Sequence, residues 1–95
     1  MLTVIAHHFI LPGKMDEAKK RILTFGQEMR SARGFISRQT VVSQKDPPRV
    51  TSVTTWRTKE EYEAYNTPER QKARRALPPL YVKVESETFE VLPEL

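Results

Sequence analysis

From Leu2 to Leu11, apolar and β-branched residues fall at odd and even positions alike (Leu2, Val4, Ile5, Phe9, Ile10). Strand side chains alternate between faces, so this pattern predicts a strand buried on both. The stretch lacks the basic start and small-residue cleavage site of a secretion signal, and it is too short to span a bilayer. Pro12-Gly13 ends it as a turn. Met15, Ala18, Ile22, Phe25, Met29 and Ala32 then recur at three-four spacing. That predicts an amphipathic helix of about five turns, with Lys19, Lys20, Arg21, Glu28 and Arg30 mostly outside. Gly34 follows at once and is read as its left-handed cap.

The runs 35–44 and 49–57 are rich in β-branched residues and are separated by Lys45-Asp46-Pro47-Pro48, which predicts a hairpin. Both are more polar than the first strand. Thr58-x-x-Glu61 reads as a capping box opening a second helix, with Tyr62 and Tyr65 on its inner face. Thr67 and Pro68 restart a helix as cap and first turn, and Pro78-Pro79 stops it. Residues 81–92 form the last predicted strand. Its alternation fails over Glu85 to Thr88, which is read as a bulge.

The order βαββαβ is the split-βαβ, ferredoxin-like arrangement of the α+β class: a single domain, 1–95, with an antiparallel sheet and both helices on one face. The second face then needs a cover. Another copy of the chain, set sheet to sheet as a homodimer, is the simplest one. A chain of 95 residues buries only about two-thirds of its unfolded surface, which makes such pairing more valuable.

Composition narrows the chemistry. The chain has no cysteine, which removes disulfides, thiol catalysis, Fe–S clusters and cysteine zinc sites and suits a cytoplasmic location. A net charge of +4 permits an anionic ligand without demanding nucleic acid. Arg70, Lys72, Arg74 and Arg75 spread around more than half of a helical circumference, so they form a solvated face rather than a nucleic-acid stripe. Ala73, Ala76 and Leu77 fill the remaining arc, and Arg74 sits at its edge, where a guanidinium can reach inward to an anion. The three glycines make no phosphate loop, and no metal-ligand spacing occurs. The expected partner is a small molecule, with neither nucleic acid nor membrane.

His7 and His8 interrupt the first strand. Neighbouring strand residues point to opposite faces, so the two cannot share one metal; one faces the helices and the other faces the presumed partner. Histidine suits proton transfer near neutral pH, and the plain alternative is a hydrogen-bonded core residue. Trp56 ends the third strand with Ser52 and Thr54 on its face. A tryptophan beside two hydroxyls can floor a pocket for a planar ring, or simply anchor sheet to helices. Tyr62 and Tyr65 pack inward with hydroxyls that can reach such a pocket. Gly26, in mid-helix, implies close helix-sheet packing or room for a ligand.

The segments Met1-Leu-Thr-Val-Ile-Ala6, Pro12-Gly13-Lys14, Arg33-Gly34-Phe35, Trp56 with Thr58-Lys-Glu-Glu-Tyr-Glu-Ala64, and Thr67-Pro68 together resemble the antibiotic biosynthesis monooxygenase family, in particular its quinol monooxygenase-like members. The resemblance implies a dimeric α+β barrel with a pocket between sheet and helices, and oxidation of a phenolic or quinol-type aromatic by O₂ without a cofactor. It sets Trp56, Tyr62 and Arg74 at the places of the relatives' pocket tryptophan, tyrosine and arginine; taken with the residues read above, the expected roles are substrate binding for Ser52, Thr54, Trp56 and Tyr65, and catalysis for His8, Tyr62 and Arg74. Ser52 stands where the well-studied phenol oxidisers carry asparagine, and Glu69 where many relatives carry histidine. The later helix lacks the axial histidine of haem degraders. Those departures keep open a non-catalytic small-molecule-binding module, or an isomerase- or lyase-type reaction, on the same fold.

Overall fold

In the computed structural model, which describes residues 1–94, the chain forms β1 (Leu2–Ile10), α1 (Met15–Met29), β2 (Phe35–Val42), β3 (Arg49–Trp56), α2 (Lys59–Tyr65), α3 (Pro68–Arg75) and β4 (Tyr81–Glu90). The sheet is antiparallel with strand order β2-β3-β1-β4. This is the expected ferredoxin-like α+β fold. Thr58 and Thr67 cap α2 and α3 through backbone N–H groups of Glu61 and Arg70, and Pro68 opens α3.

Three local expectations are corrected. Helix α1 ends at Met29, short of Ala32, and Gly34 lies beyond it as a turn glycine at φ +85° rather than as its cap. A Cβ at Gly34 would meet Glu61, so the close approach of α2 also selects glycine there. The register of β4 is unbroken over Glu85 to Thr88, and its irregularity falls at Val82, between the pairs Phe9–Lys83 and Ile10–Tyr81. The arc of Ala73, Ala76 and Leu77 faces solvent, and the inward residues of α3 are Gln71 and Arg74. Helix α3 carries no buried residue, so its hold on the sheet is light.

Cross-strand pairing fixes the two faces. Leu2–Trp56, Val4–Thr54, Ala6–Ser52 and His8–Val50 pairs lie under the helices, while Ile5–Val53 and His7–Thr51 lie on the uncovered face. The apolar core beneath the helices is split in two. One cluster holds Ile10, Ala18, Ile22, Val50 and Leu80. The other holds Leu2, Val4, Met29 and Trp56, with Tyr62 and Tyr65 packed against it. Between them the sheet presents a row of small residues, Thr40–Ser52–Ala6–Ser86, one per strand.

Candidate functional site

The seam between the two clusters is polar because two bulges turn polar side chains into it. In β2, Ile36 is the extra residue, so Phe35 pairs with Trp56 and Arg38 with Thr54, both beneath the helices. Plain alternation from Phe35 would have sent Arg38 to the opposite face. In β4, the step at Val82 brings Tyr81 beneath the helices, while Lys83 points away.

Arg38 joins the two clusters. Its Nη2 donates to the Ile22 carbonyl at 3.0 Å and its Nη1 to the Met29 sulfur at 3.7 Å. Its Nε is buried and has no partner. Gly26 lies directly above, and a Cβ there would come within 2.6 Å of that Nε. Of the readings the sequence allowed for Gly26, the close-packing one describes this contact, and the packed group is a guanidinium rather than the sheet itself.

Arg74 stacks on Phe25, with its guanidinium carbon 4.8 Å from the ring centroid and 5.9 Å from that of Tyr65. Its Nη2 is likewise buried without a partner, as are the hydroxyls of Tyr65 and Tyr81. The two guanidiniums therefore sit against one turn of α1, Ile22 to Gly26. Burial and the Arg74 charge both push Arg38 below the usual arginine range. Among the described residues, neither has an acidic partner within ion-pair distance. An unmet buried donor costs about 1–3 kcal/mol, and more when charged. A group that accepts hydrogen bonds and carries negative charge would satisfy these donors.

His8 is the histidine that faces the helices. Its Nδ1 lies 3.0 Å from the Val50 carbonyl, and since a carbonyl only accepts, the proton sits on Nδ1. Nε2 is then an acceptor. Burial is the main cause that lowers its pKa below 6.5, with Arg38, Arg74 and His7 adding to it and the Val50 bond opposing. His8 is therefore neutral at pH 7. The Tyr81 ring packs on it at 5.0 Å between centroids. Burial raises the Tyr81 hydroxyl; Arg21 lies near enough to oppose this in part, without an aligned hydrogen bond. His7 is on the open face, its Nδ1 2.7 Å from the Thr51 hydroxyl.

Trp56 is wholly buried. Phe35, Tyr62 and Tyr65 surround it at 5.5–5.7 Å between ring centroids. Its Nε1 donates to Thr54 at 3.1 Å, which occupies the hydroxyl expected to face a ligand. Tyr62 accepts from Asn66 at 3.1 Å and is held protonated, chiefly by burial. Ser52 is buried within the row of small residues. The sequence-selected residues thus divide into an aromatic cluster (Thr54, Trp56, Tyr62, Tyr65) and a polar group (His8, Arg74), with Arg38, Phe25 and Tyr81 joining the second. The sequence reading did not select those three. For Arg38 the available signal was Gly26, an unexplained helix-weakening residue over the sheet.

The surface also carries two open clefts. One, of about 320 Å³, runs between α1 and the segment before β4, past Arg21, Phe25 and Leu80. The other, of about 270 Å³, lies on the uncovered face beside Ile5, His7, Glu85 and Phe89. Among the described residues no three histidine, aspartate or glutamate side chains converge as metal ligands, and no helix is long and apolar enough to cross a membrane.

The fold matches solved structures over nearly its whole length. The haem degrader MhuD of Mycobacterium tuberculosis, solved with two haems in its active site, is 21% identical with a TM-score of 0.79, covering 100% of this chain and 99% of that one. PA3566 of Pseudomonas aeruginosa is 19% identical with a TM-score of 0.80, covering 97% and 94%. A Deinococcus radiodurans protein assigned to antibiotic biosynthesis monooxygenases is 12% identical with a TM-score of 0.85, covering 100% and 96%. No curated protein matches in sequence. The profile of the antibiotic biosynthesis monooxygenase family matches residues 1–76, and the chain belongs to that family.

Proposed function

We propose that the protein oxidises a phenolic or quinol-type small molecule with O₂, using no cofactor. The observations that carry this reading are a neutral, acceptor-bearing His8 on the helix-facing side of the sheet and, on the helix layer above that side, an Arg74 whose Nη2 is buried without a partner. A base removes the phenol proton, and a cation holds the phenolate in a site of low polarity. The electron-rich ring then reduces O₂ itself. One oxygen atom becomes the new carbonyl oxygen, and the other leaves as water with the hydroxyl and ring hydrogens. In this scheme His8 Nε2 accepts the phenolic proton, Arg74 binds the oxyanion, and the protonated Tyr62 donates to the reduced oxygen. Tyr65 gives the ring an aromatic wall, backed by the wholly buried Trp56, and Ser52 and Thr54 belong to the seam floor. Haem is not proposed as substrate, because the inward residues of α3 are Gln71 and Arg74, neither suited to bind iron from that helix.

A homodimer in the cytoplasm completes the reading. The uncovered sheet face carries Ile5, Phe9, Val41, Val53 and Phe89, and a second copy placed there would remove them from water.

The test is anaerobic mixing with a polycyclic hydroquinone followed by admission of O₂. Oxygen uptake is expected to fall by at least tenfold (about 1.4 kcal/mol of barrier) in Arg74→Ala and in His8→Gln. Uptake at the wild-type rate in Arg74→Ala and His8→Gln refutes the site.

A further inference from the structure

The seam holds one cation more than a phenolate needs. Arg74 suffices for a single oxyanion, yet Arg38 packs against the same turn of α1, its Nε buried and unmatched beneath Gly26. The Tyr65 hydroxyl is buried and unmatched too, and the Tyr65 ring lies 5.9 Å from the guanidinium carbon of Arg74, which packs on that same turn. A guanidinium beside a hydroxyl offers two donors, one for each oxygen of a carboxylate. The β2 bulge at Ile36 turns Arg38 inward, and a helix-weakening glycine makes space for it. Both features cost the apo fold something and serve no ion pair among the described residues.

We propose that the substrate is an aromatic hydroxy acid: Arg38 and Tyr65 bind its carboxylate, while Arg74 takes its phenolic oxygen. The aromatic body lies between the two anchors, over the row of small residues from Thr40 to Ser86. This rests on the site read above but not on oxygenation, since it concerns recognition alone. Specificity follows from the chemistry. A phenol lacking the acid leaves the buried Nε of Arg38 without an acceptor, so the site selects against it.

The experiment is binding without turnover. A hydroxynaphthoate and the matching naphthol are titrated into the anaerobic protein, with fluorescence of its single tryptophan as readout. Wild type is expected to bind the acid ~10- to 100-fold more tightly, the worth of one charge-assisted pair. Arg38→Met should erase that preference and leave naphthol binding in place, and Arg38→Lys should restore part of it. Tyr65→Phe should lower it several-fold and serves as the probe if Arg38→Met does not fold. Equal affinity of wild type for acid and naphthol overturns the proposal, as does an equal loss for both in Arg38→Met. If the acid preference holds and no hydroxy acid drives oxygen uptake, the oxygenation reading fails and the substrate class stands. If neither ligand binds, both fall.

Discussion

Gly26 and Arg38 are a matched pair: a single Cβ on the helix residue would sit 2.6 Å from Nε and 2.8 Å from Cδ of the strand residue. Neither makes sense alone. Glycine in mid-helix costs about 1 kcal/mol against alanine, and a buried arginine needs backbone-close space to reach the Ile22 carbonyl. Gly26→Ala therefore gains about 1 kcal/mol of helix propensity and loses a charge-assisted bond worth about 1.5–3 kcal/mol. A net loss of about 1 kcal/mol is expected in urea denaturation. Adding Arg38→Met should recover most of it, because the clash and the stranded charge go together. A Gly26→Ala variant more stable than wild type would show that Arg38 is not held there.

Much of this fold is legible in the sequence. The three-four spacing of α1, the Thr58 and Thr67 caps and the Pro-rich punctuation each set an element by local chemistry. The site is less legible, and the reason is phase. A strand's inward residues follow from alternation only while alternation holds, and the extra residues Ile36 and Val82 reset it. Arg38 and Tyr81 thereby enter the interior from positions that a period of two places outside. The β2 segment also gave no strong apolar pattern to set a face. Helix α3 misled for another reason: its apolar arc is small, and the Phe25 ring holds the guanidinium of Arg74 inward while the alanines face water.

Trp56 has no exposed surface, so its substitution tests packing before chemistry. Trp56→Ala should cost about 3–5 kcal/mol, a large share of the stability of a domain this size. Trp56→Phe should cost about 1–2 kcal/mol, since it loses volume and the bond to Thr54. Urea midpoints give both values. A near-neutral Trp56→Ala would mean that the aromatic cluster is not a true core.

His8 sets a pH dependence whose sign is fixed by its depressed pKa. The unfolded chain protonates this histidine near the usual value of about 6.5, and the folded chain only at lower pH. Stability from this group is flat above about pH 6.5 and falls on acidification until the folded pKa is passed, because the unfolded state binds the proton first. Thermal melts in a pH series should show that decline, and His8→Gln should flatten it. Oxygen uptake should fall over a similar acidic window, since the proton acceptor Nε2 is lost when His8 is charged. A rate that rises on acidification would remove His8 as the base.

Val53 tests what covers the open face. It sits at the centre of β3, between Ile5 and Gln39, on the side away from the helices. In a lone subunit a lysine at this position reaches water easily, and the change should cost within about 0.5 kcal/mol. Between two sheets the same charge would be buried without a partner, which pairing cannot tolerate. Wild type should sediment as a dimer at micromolar concentration and Val53→Lys as a folded monomer with unchanged helix and strand content. The face is not uniformly apolar, since Lys83 and Glu85 form an ion pair there and His7 bonds to Thr51. Salt should therefore weaken the dimer less than the lysine does, because exposed ion pairs contribute little beside buried apolar area. A wild type that sediments as a monomer would leave Ile5, Phe9 and Val53 facing water and would remove the basis for sheet-to-sheet pairing.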